Sequence, residues 1–237
     1  MTTWHEELLN LLVAPAVSPD RAFAAIERVA CDLGFDYVAY GYQEAYPVTK
    51  PRVVMINNYP GAWVDHYARQ CYLYSDPSVI HGKKSQVPLL WSREAFSSNL
   101  ALWSDVQDQG IRAGWAQSSL ESSGAGSMLT LCRCEDTLNG DELQRKESQM
   151  RWLVQVAHVS LSRAIWSHDA QSPADLTPRE REVLQWTADG KSAQDIADIL
   201  TLSKSAVDFH LANSIRKLKV PNKTAAVARA ALQGRLH

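Results

Sequence analysis

Residues 176–218 read LTPREREVLQWTADGKSAQDIADILTLSKSAVDFHLANSIRKL. Thr177-Pro178-Arg179-Glu180 has the form of a capping box with proline at the first helical position, which predicts a helix start. Val183, Leu184 and Trp186 follow as its apolar residues, and Gly190 stops it. Ser192-Ala193-Gln194-Asp195 caps a second helix, with Ile196, Ile199 and Leu200 on the side expected to be buried. After a tight turn at Thr201-Leu202-Ser203, a third helix over 204–218 places Val207, Leu211, Ile215 and Leu218 on one narrow stripe. Its other stripe is Lys204, Ser205, Asp208, Phe209, Ala212 and Arg216. Two short helices, a tight turn and a third helix of this kind form the helix-turn-helix plan. Short polar side chains on the outward stripe approach base edges in a major groove, while flanking bases such as Arg216 and Lys217 neutralise phosphates. On periodicity alone, a four-helix domain that binds protein remains the alternative.

Outward from this stretch, Pro221-Asn222 opens a fourth helix that ends at Gly234. Charge supports a polyanion partner for this end. Of the 24 Lys+Arg and 26 Asp+Glu in the chain, residues 176–237 hold 10 and 6, leaving 14 and 20 for residues 1–175. A basic C-terminal part thus follows an acidic body. Upstream, WSHDAQSPADLT (166–177) breaks the hydrophobic pattern with Ser, Asp and Pro. The expected division is an N-terminal domain over 1–166, a linker over 167–176 and the helix-turn-helix domain over 177–237.

The N-terminal domain mixes periods. Pro19 to Gly34 has helical spacing, DYVAYGY (36–42) and RVVMI (52–56) alternate as strands, and 62–70 and 93–110 read as helices. RAGWAQSSL (112–120) and GSMLTLCRC (126–134) suggest a hairpin pair of strands. Asp141 to Trp166 is a long helix whose stripe of Leu143, Met150, Val154, Ala157, Leu161 and Ile165 serves either as a dimer surface or as packing on the sheet. The expected class is α+β: an α/β/α sandwich around an antiparallel sheet, plus the C-terminal four-helix domain. Cys31, Cys71, Cys132 and Cys134 lack paired metal spacing and read as free thiols of a reducing cytoplasm. The acidic start MTTWHEELLNLL carries no export signal and no apolar run spans a bilayer, so a cytoplasmic location without membrane contact is expected.

The densest chemistry lies in NYPGAWVDHYARQCYLYSDPSVIHG (58–82), followed by Trp91. Trp63 and Tyr67 lie at i and i+4, with Tyr59 just before them and Asp76-Pro77 opening a short helix. Aromatics with polar tips around one carboxylate suit a pocket for an amphipathic amide better than a plain core. Trp63 has an indole N–H to give a carbonyl, Asp76 accepts from an amide N–H, and the Tyr59 and Thr130 hydroxyls are placed for a second carbonyl. Taken singly, each residue has a plainer reading, the aromatics as core and Asp76 as a helix cap.

The C-terminal run resembles the helix-turn-helix of the LuxR family of transcription factors, with Glu180, Leu184 and Gly190 on its signature positions. Asp208 departs from that pattern, since relatives often carry Asn or a base there; an acid accepts from a cytosine amino group but repels phosphate. Tyr59, Trp63, Tyr67, Asp76, Pro77, Trp91 and Gly114 likewise resemble the residues lining the autoinducer pocket of LuxR-type quorum-sensing regulators. The resemblance implies an N-acyl-homoserine lactone ligand. Trp63 would bind the lactone carbonyl, Asp76 the amide N–H with Ser78 in support, and Tyr59 and Thr130 the acyl carbonyl. Trp91, Trp103, Tyr67 and Gly114 would wall the lactone. It further implies a homodimer on a palindromic double-stranded DNA element, with RNA polymerase as a further partner and no cofactor or metal.

Binding rather than catalysis is therefore expected. A lactone hydrolase would need a metal run or a G-x-S-x-G elbow, and the sequence has neither. A response regulator would need a repeating βα receiver pattern, which residues 1–165 lack. An orphan that traps signal or forms heterodimers is the remaining alternative.

Overall fold

The computed structural model describes residues 4–13, 18–122, 124–167 and 174–236. They form two compact units, one of Met1–Gln43, Val53–Leu120 and Gly126–Asp169, the other of Glu44–Arg52, Glu121–Ala125 and Ala170–His237. Two loops that the sequence pattern assigned to the first domain therefore group with the second. Most of the expected linker, residues 168–173, lies outside the described residues. No helix among the described residues is long and apolar enough to cross a membrane.

In the first unit, β1 (Tyr37–Gln43), β2 (Val53–Asn57), β3 (Leu89–Leu90), β4 (Ala113–Leu120) and β5 (Gly126–Arg133) form one antiparallel sheet in the order β2-β1-β5-β4-β3. Strand alternation sends Val38, Tyr40, Tyr42, Trp115, Leu129 and Leu131 to one face, where all are buried. That face meets α2 (Pro19–Asp32) and α6 (Gly140–Ser167). The opposite face carries mostly smaller side chains, Ala39 and Gly41 on β1, Gly114, Ala116 and Ser118 on β4, and Thr130 and Cys132 on β5, with Tyr37 and Met128 among them. Over it lie α3 (Gly61–Arg69), a 3-10 turn at Tyr72–Tyr74, α4 (Pro77–Gly82) and α5 (Leu100–Asp108). This is the expected sandwich, with one bulky face for stability and one small-residue face left to build a site.

The structure departs from the sequence reading in several places. The helix expected over 93–110 begins only at Leu100, because Asn99 Oδ1 accepts from Leu102 N at 3.0 Å and starts a new helix there. Helix α1 (Trp4–Val13) and the two-residue strand β3 were not anticipated. The α6 stripe is not a free surface. Met150, Val154, Ala157, Leu161 and Ile165 are buried inside the unit, where α6 packs against α1, α2 and the sheet. Of the two readings of that stripe, packing is the one the structure bears out.

The start of α6 is held by charge. Arg133 donates to both carboxylate oxygens of Glu142 at 2.8 Å, and Lys146 donates to Glu142 Oε1 at 2.6 Å and to the Leu33 carbonyl at 2.6 Å. These bonds join β5, α6 and the end of α2, and they hold Glu142 at about 2, below the ordinary 4.5. Because the folded value is depressed, the stabilisation is complete above pH 4.5 and is lost as pH falls toward 2. The gap corresponds to at most about 3 kcal/mol. Glu142→Gln is expected to flatten the acid limb of stability against pH between those values, measured by urea unfolding at fixed pH steps.

In the second unit, α7 (Pro178–Ala188), α8 (Ala193–Leu200), α9 (Lys204–Lys217) and α10 (Lys223–Leu232) follow the plan expected from their caps. Both capping boxes are formed, Thr177 with Glu180 and Ser192 with Asp195. Gly190 stops α7 at φ +84°, a left-handed conformation that favours glycine. Val183, Ile196, Ala197 and Val207 form one buried cluster, and Leu184 and Leu218 belong to another. Ile199, expected inside, is 43% exposed; α8 turns only Ile196 and Ala197 fully inward. On α9, Leu211 and Ile215 are half-buried, and Ser214 completes the inner stripe by donating to the His210 carbonyl.

Candidate ligand-binding and DNA-facing sites

The small-residue face of the sheet is roofed by aromatics. Pro60 and Gly61 start α3, and the i, i+4 spacing then sets Trp63 and Tyr67 one above the other, ring centroids 6.1 Å apart at 64°. Trp63, Tyr72, Phe96, Leu102, Val106, Ile111 and Cys132 form a buried cluster, with Tyr59, Tyr67, Trp91 and Trp103 packed against it. Trp91 lies flat over Gly114: a Cβ there would sit 2.2 Å from its ring. Trp91 meets Phe96 edge-on at 5.1 Å, and Phe96 meets Trp103 at 5.3 Å. Five aromatics and one glycine singled out from the sequence thus come together in one cluster.

Asp76 enters from the start of α4. It is the N-cap, with Pro77 at the first helical position, and its Oδ1 accepts from Ser78 N at 2.8 Å. Its Oδ2 accepts from the Tyr67 hydroxyl at 2.8 Å. The helix-cap reading therefore holds for this residue, and the same carboxylate meets an aromatic of the cluster through Tyr67. Burial pushes the carboxyl above the usual range, against the pull of the Tyr67 hydroxyl and the Ser78 amide. A carboxylate has about four lone-pair positions, and beyond the Tyr67 and Ser78 bonds the Val79 amide also pulls on it, so at most one position is left for a further N–H donor. Such a donor would stabilise the charged form that burial penalises.

The Tyr59 hydroxyl lies 3.1 Å from Cys132 Sγ, so its partner is this thiol and no bond joins it to Thr130. Thr130 is buried on the same face one step along β5, between Ala39 and Ala116. Burial pushes the Cys132 thiol up to about 12, which keeps it a neutral, inert thiol rather than a nucleophile. Cys132 is a site neighbour that the strand pattern alone signals, two residues from Thr130 and so on the same face.

Two further features mark this face. Trp91 Nε1 is buried and has no hydrogen-bond partner among the described residues, a donor left for something else. At Gly41, on a strand paired on both sides, a Cβ would meet nothing within 4 Å. By contrast, a Cβ at Gly82 would strike Ser118 Oγ at 2.4 Å. The sheet face is therefore closed by α4 at β4 and open at β1.

On α9, Lys204, Ser205, Asp208, Ala212 and Arg216 are exposed, and Phe209 among them is 63% exposed. Lys217 differs from expectation. Its ammonium donates to Glu180 Oε2 at 2.8 Å and to the Asp175 carbonyl at 3.1 Å, because residue 217 lies next to the inner stripe rather than on the outer one. Glu180 is 3% exposed and also accepts from Thr177 N, so the signature glutamate ties the α7 cap to the end of α9.

Residues 18–161 match the family model described as "Autoinducer binding domain", and residues 174–230 match "Bacterial regulatory proteins, luxR family". The chain is 38% identical to the Transcriptional activator protein AnoR of Acinetobacter nosocomialis over 100% of both chains. A crystal structure of Escherichia coli SdiA superposes with a TM-score of 0.85 at 32% identity, covering 99% of this chain and 98% of that one. A structure of SdiA in complex with octanoyl-rac-glycerol gives 0.84 at 31% identity, covering 99% and 95%.

Proposed function

Since the chain belongs to the LuxR family of autoinducer-binding transcriptional regulators, which are DNA-binding proteins and not enzymes, we propose that its autoinducer is an N-acyl-homoserine lactone. The observation that carries this reading is the buried carboxylate of Asp76, bonded to Tyr67 beside a cluster of aromatics. The ligand amide N–H goes to Asp76, and the lactone carbonyl goes to the indole N–H of Trp63. The lactone ring fits between Trp91, Trp103 and Tyr67, and the acyl carbonyl takes the hydroxyl of Tyr59 or of Thr130, with Cys132 alongside. The acyl chain then runs over Ala39 and Gly41, where burial of apolar surface contributes about 25 cal/mol per Å². The SdiA complex with octanoyl-rac-glycerol, an acyl chain on an oxygenated head, supports a guest of that shape.

Binding stabilises the folded unit by mass action. Two copies of the chain then place two α9 helices on a palindromic element, with half-sites about one helical turn or a multiple apart.

The test is direct. The protein purified from a host that makes acyl-homoserine lactones is expected to carry one, identified by mass spectrometry of the extracted small molecule. A reporter read with and without that compound then separates a regulator that responds at promoters from one that only sequesters signal. Absence of any acyl-homoserine lactone in the extract, with none binding on titration, would sink the reading.

A further inference from the structure

A second polar network lies at the rim of the cage, and the ligand reading leaves it unused. His66 is one turn along α3 from Trp63, and its ring stacks on the indole with centroids 5.9 Å apart at 28°. Its Nε2 lies 2.7 Å from Asp105 Oδ2 on α5. The Tyr72 hydroxyl donates to that same oxygen at 2.5 Å, and His66 also meets the Tyr72 ring edge-on at 6.0 Å. One carboxylate oxygen thereby joins α3, the 3-10 turn and α5, which supply Trp63, Tyr72 and Leu102 to the buried cluster. The Tyr72 and His66 hydrogen bonds hold Asp105 below the usual carboxylate range. His66 and Asp105 are 34% and 30% exposed, so these two lie at the edge of the cluster, while Tyr72 is buried within it.

We infer that His66, anchored by Asp105 and Tyr72, is a positioning residue that fixes the Trp63 indole for the head group of the ligand. This rests on the lactone reading above, in which Trp63 Nε1–H meets the lactone carbonyl. An indole free to rock about its side-chain torsions donates poorly to a fixed carbonyl. The imidazole stacked on one face, with Tyr67 edge-on to the same indole, restricts that motion. A residue with this role affects recognition of the carbonyl more than recognition of the chain.

Two probes separate these effects: N-octanoyl-homoserine lactone, and N-cyclopentyloctanamide, which keeps the amide and chain but lacks the ring carbonyl. The wild-type chain is expected to prefer the lactone by about tenfold or more, the value of one buried hydrogen bond. In His66→Ala and in Asp105→Asn, which keeps side-chain volume, the preference is expected to fall to about twofold with little change for the cyclopentyl amide. In a Trp63→Phe background, His66→Ala is expected to change the preference no further, because the residue acts through the indole. An unaltered preference in both single variants overturns the inference while leaving the lactone reading intact. Equal losses for both probes assign His66 a purely structural role and also overturn it. A wild-type chain that binds neither these probes nor an N-acyl-homoserine lactone of any other chain length overturns the lactone reading and this inference together.

Discussion

Asp76→Ala is expected to weaken N-octanoyl-homoserine lactone binding by roughly 30- to 1,000-fold, the range for removing one partner of a buried charged hydrogen bond. Isothermal titration at constant protein concentration reads it. The residue acts twice, which calls for a control. As the α4 N-cap it contributes about 1 kcal/mol to stability, lost with alanine but largely kept with asparagine. Asp76→Asn therefore separates the roles: it is expected to melt near the wild type yet bind much more weakly, since a carboxamide brings no charge to meet the ligand amide. Tyr67 should report the same change, because its hydroxyl loses a charged acceptor in either variant. Binding by Asp76→Ala within threefold of the wild type would remove the carboxylate from the site.

Gly114→Ala is the second large effect. The added methyl would lie 2.2 Å from Trp91 Cδ2, 2.3 Å from Cε3 and 2.7 Å from Cγ, so the ring itself must move. Trp91 is not free to tip, since it packs against Phe96, which packs against Trp103. Overpacking of this kind costs about 1–3 kcal/mol, or roughly 2–10 °C in melting temperature for a unit of this size. Lactone affinity is expected to fall by about tenfold or more, because the displaced indole enters the space the ring would occupy. A Trp91→Leu change in the same background is expected to recover the melting temperature and not the affinity, a non-additive pair as contacting residues give. Wild-type affinity in Gly114→Ala would show that Trp91 is no wall of the site.

Local signals carried far in this chain. The Thr177–Glu180 and Ser192–Asp195 boxes are contacts between residues three apart, so residue type and spacing alone locate the starts of α7 and α8. Trp63, Tyr67 and Asp76 fall within one short segment, which is why that part of the site was readable. The remainder depends on pairing across distance. Cys132 reaches Tyr59 across 73 positions and Asp105 reaches His66 across 39, and both depend on sheet register and helix placement that periodicity does not specify. The α6 stripe shows the same limit in another form. An apolar stripe has one appearance whether its cover is the same chain or another copy, and here α1, α2 and the sheet provide the cover.

The bond between Lys217 and Glu180 bears on how the C-terminal domain meets a polyanion. A cation that displaces counterions from DNA adds to the salt dependence of binding, close to one unit of slope for each phosphate neutralised. Lys217 already spends its charge internally, leaving Lys204 and Arg216 as the exposed cations of the α9 outer stripe, beside the acid Asp208. With α9 in a groove, so few exposed cations predict a shallow salt dependence of binding and a larger share for the base edges.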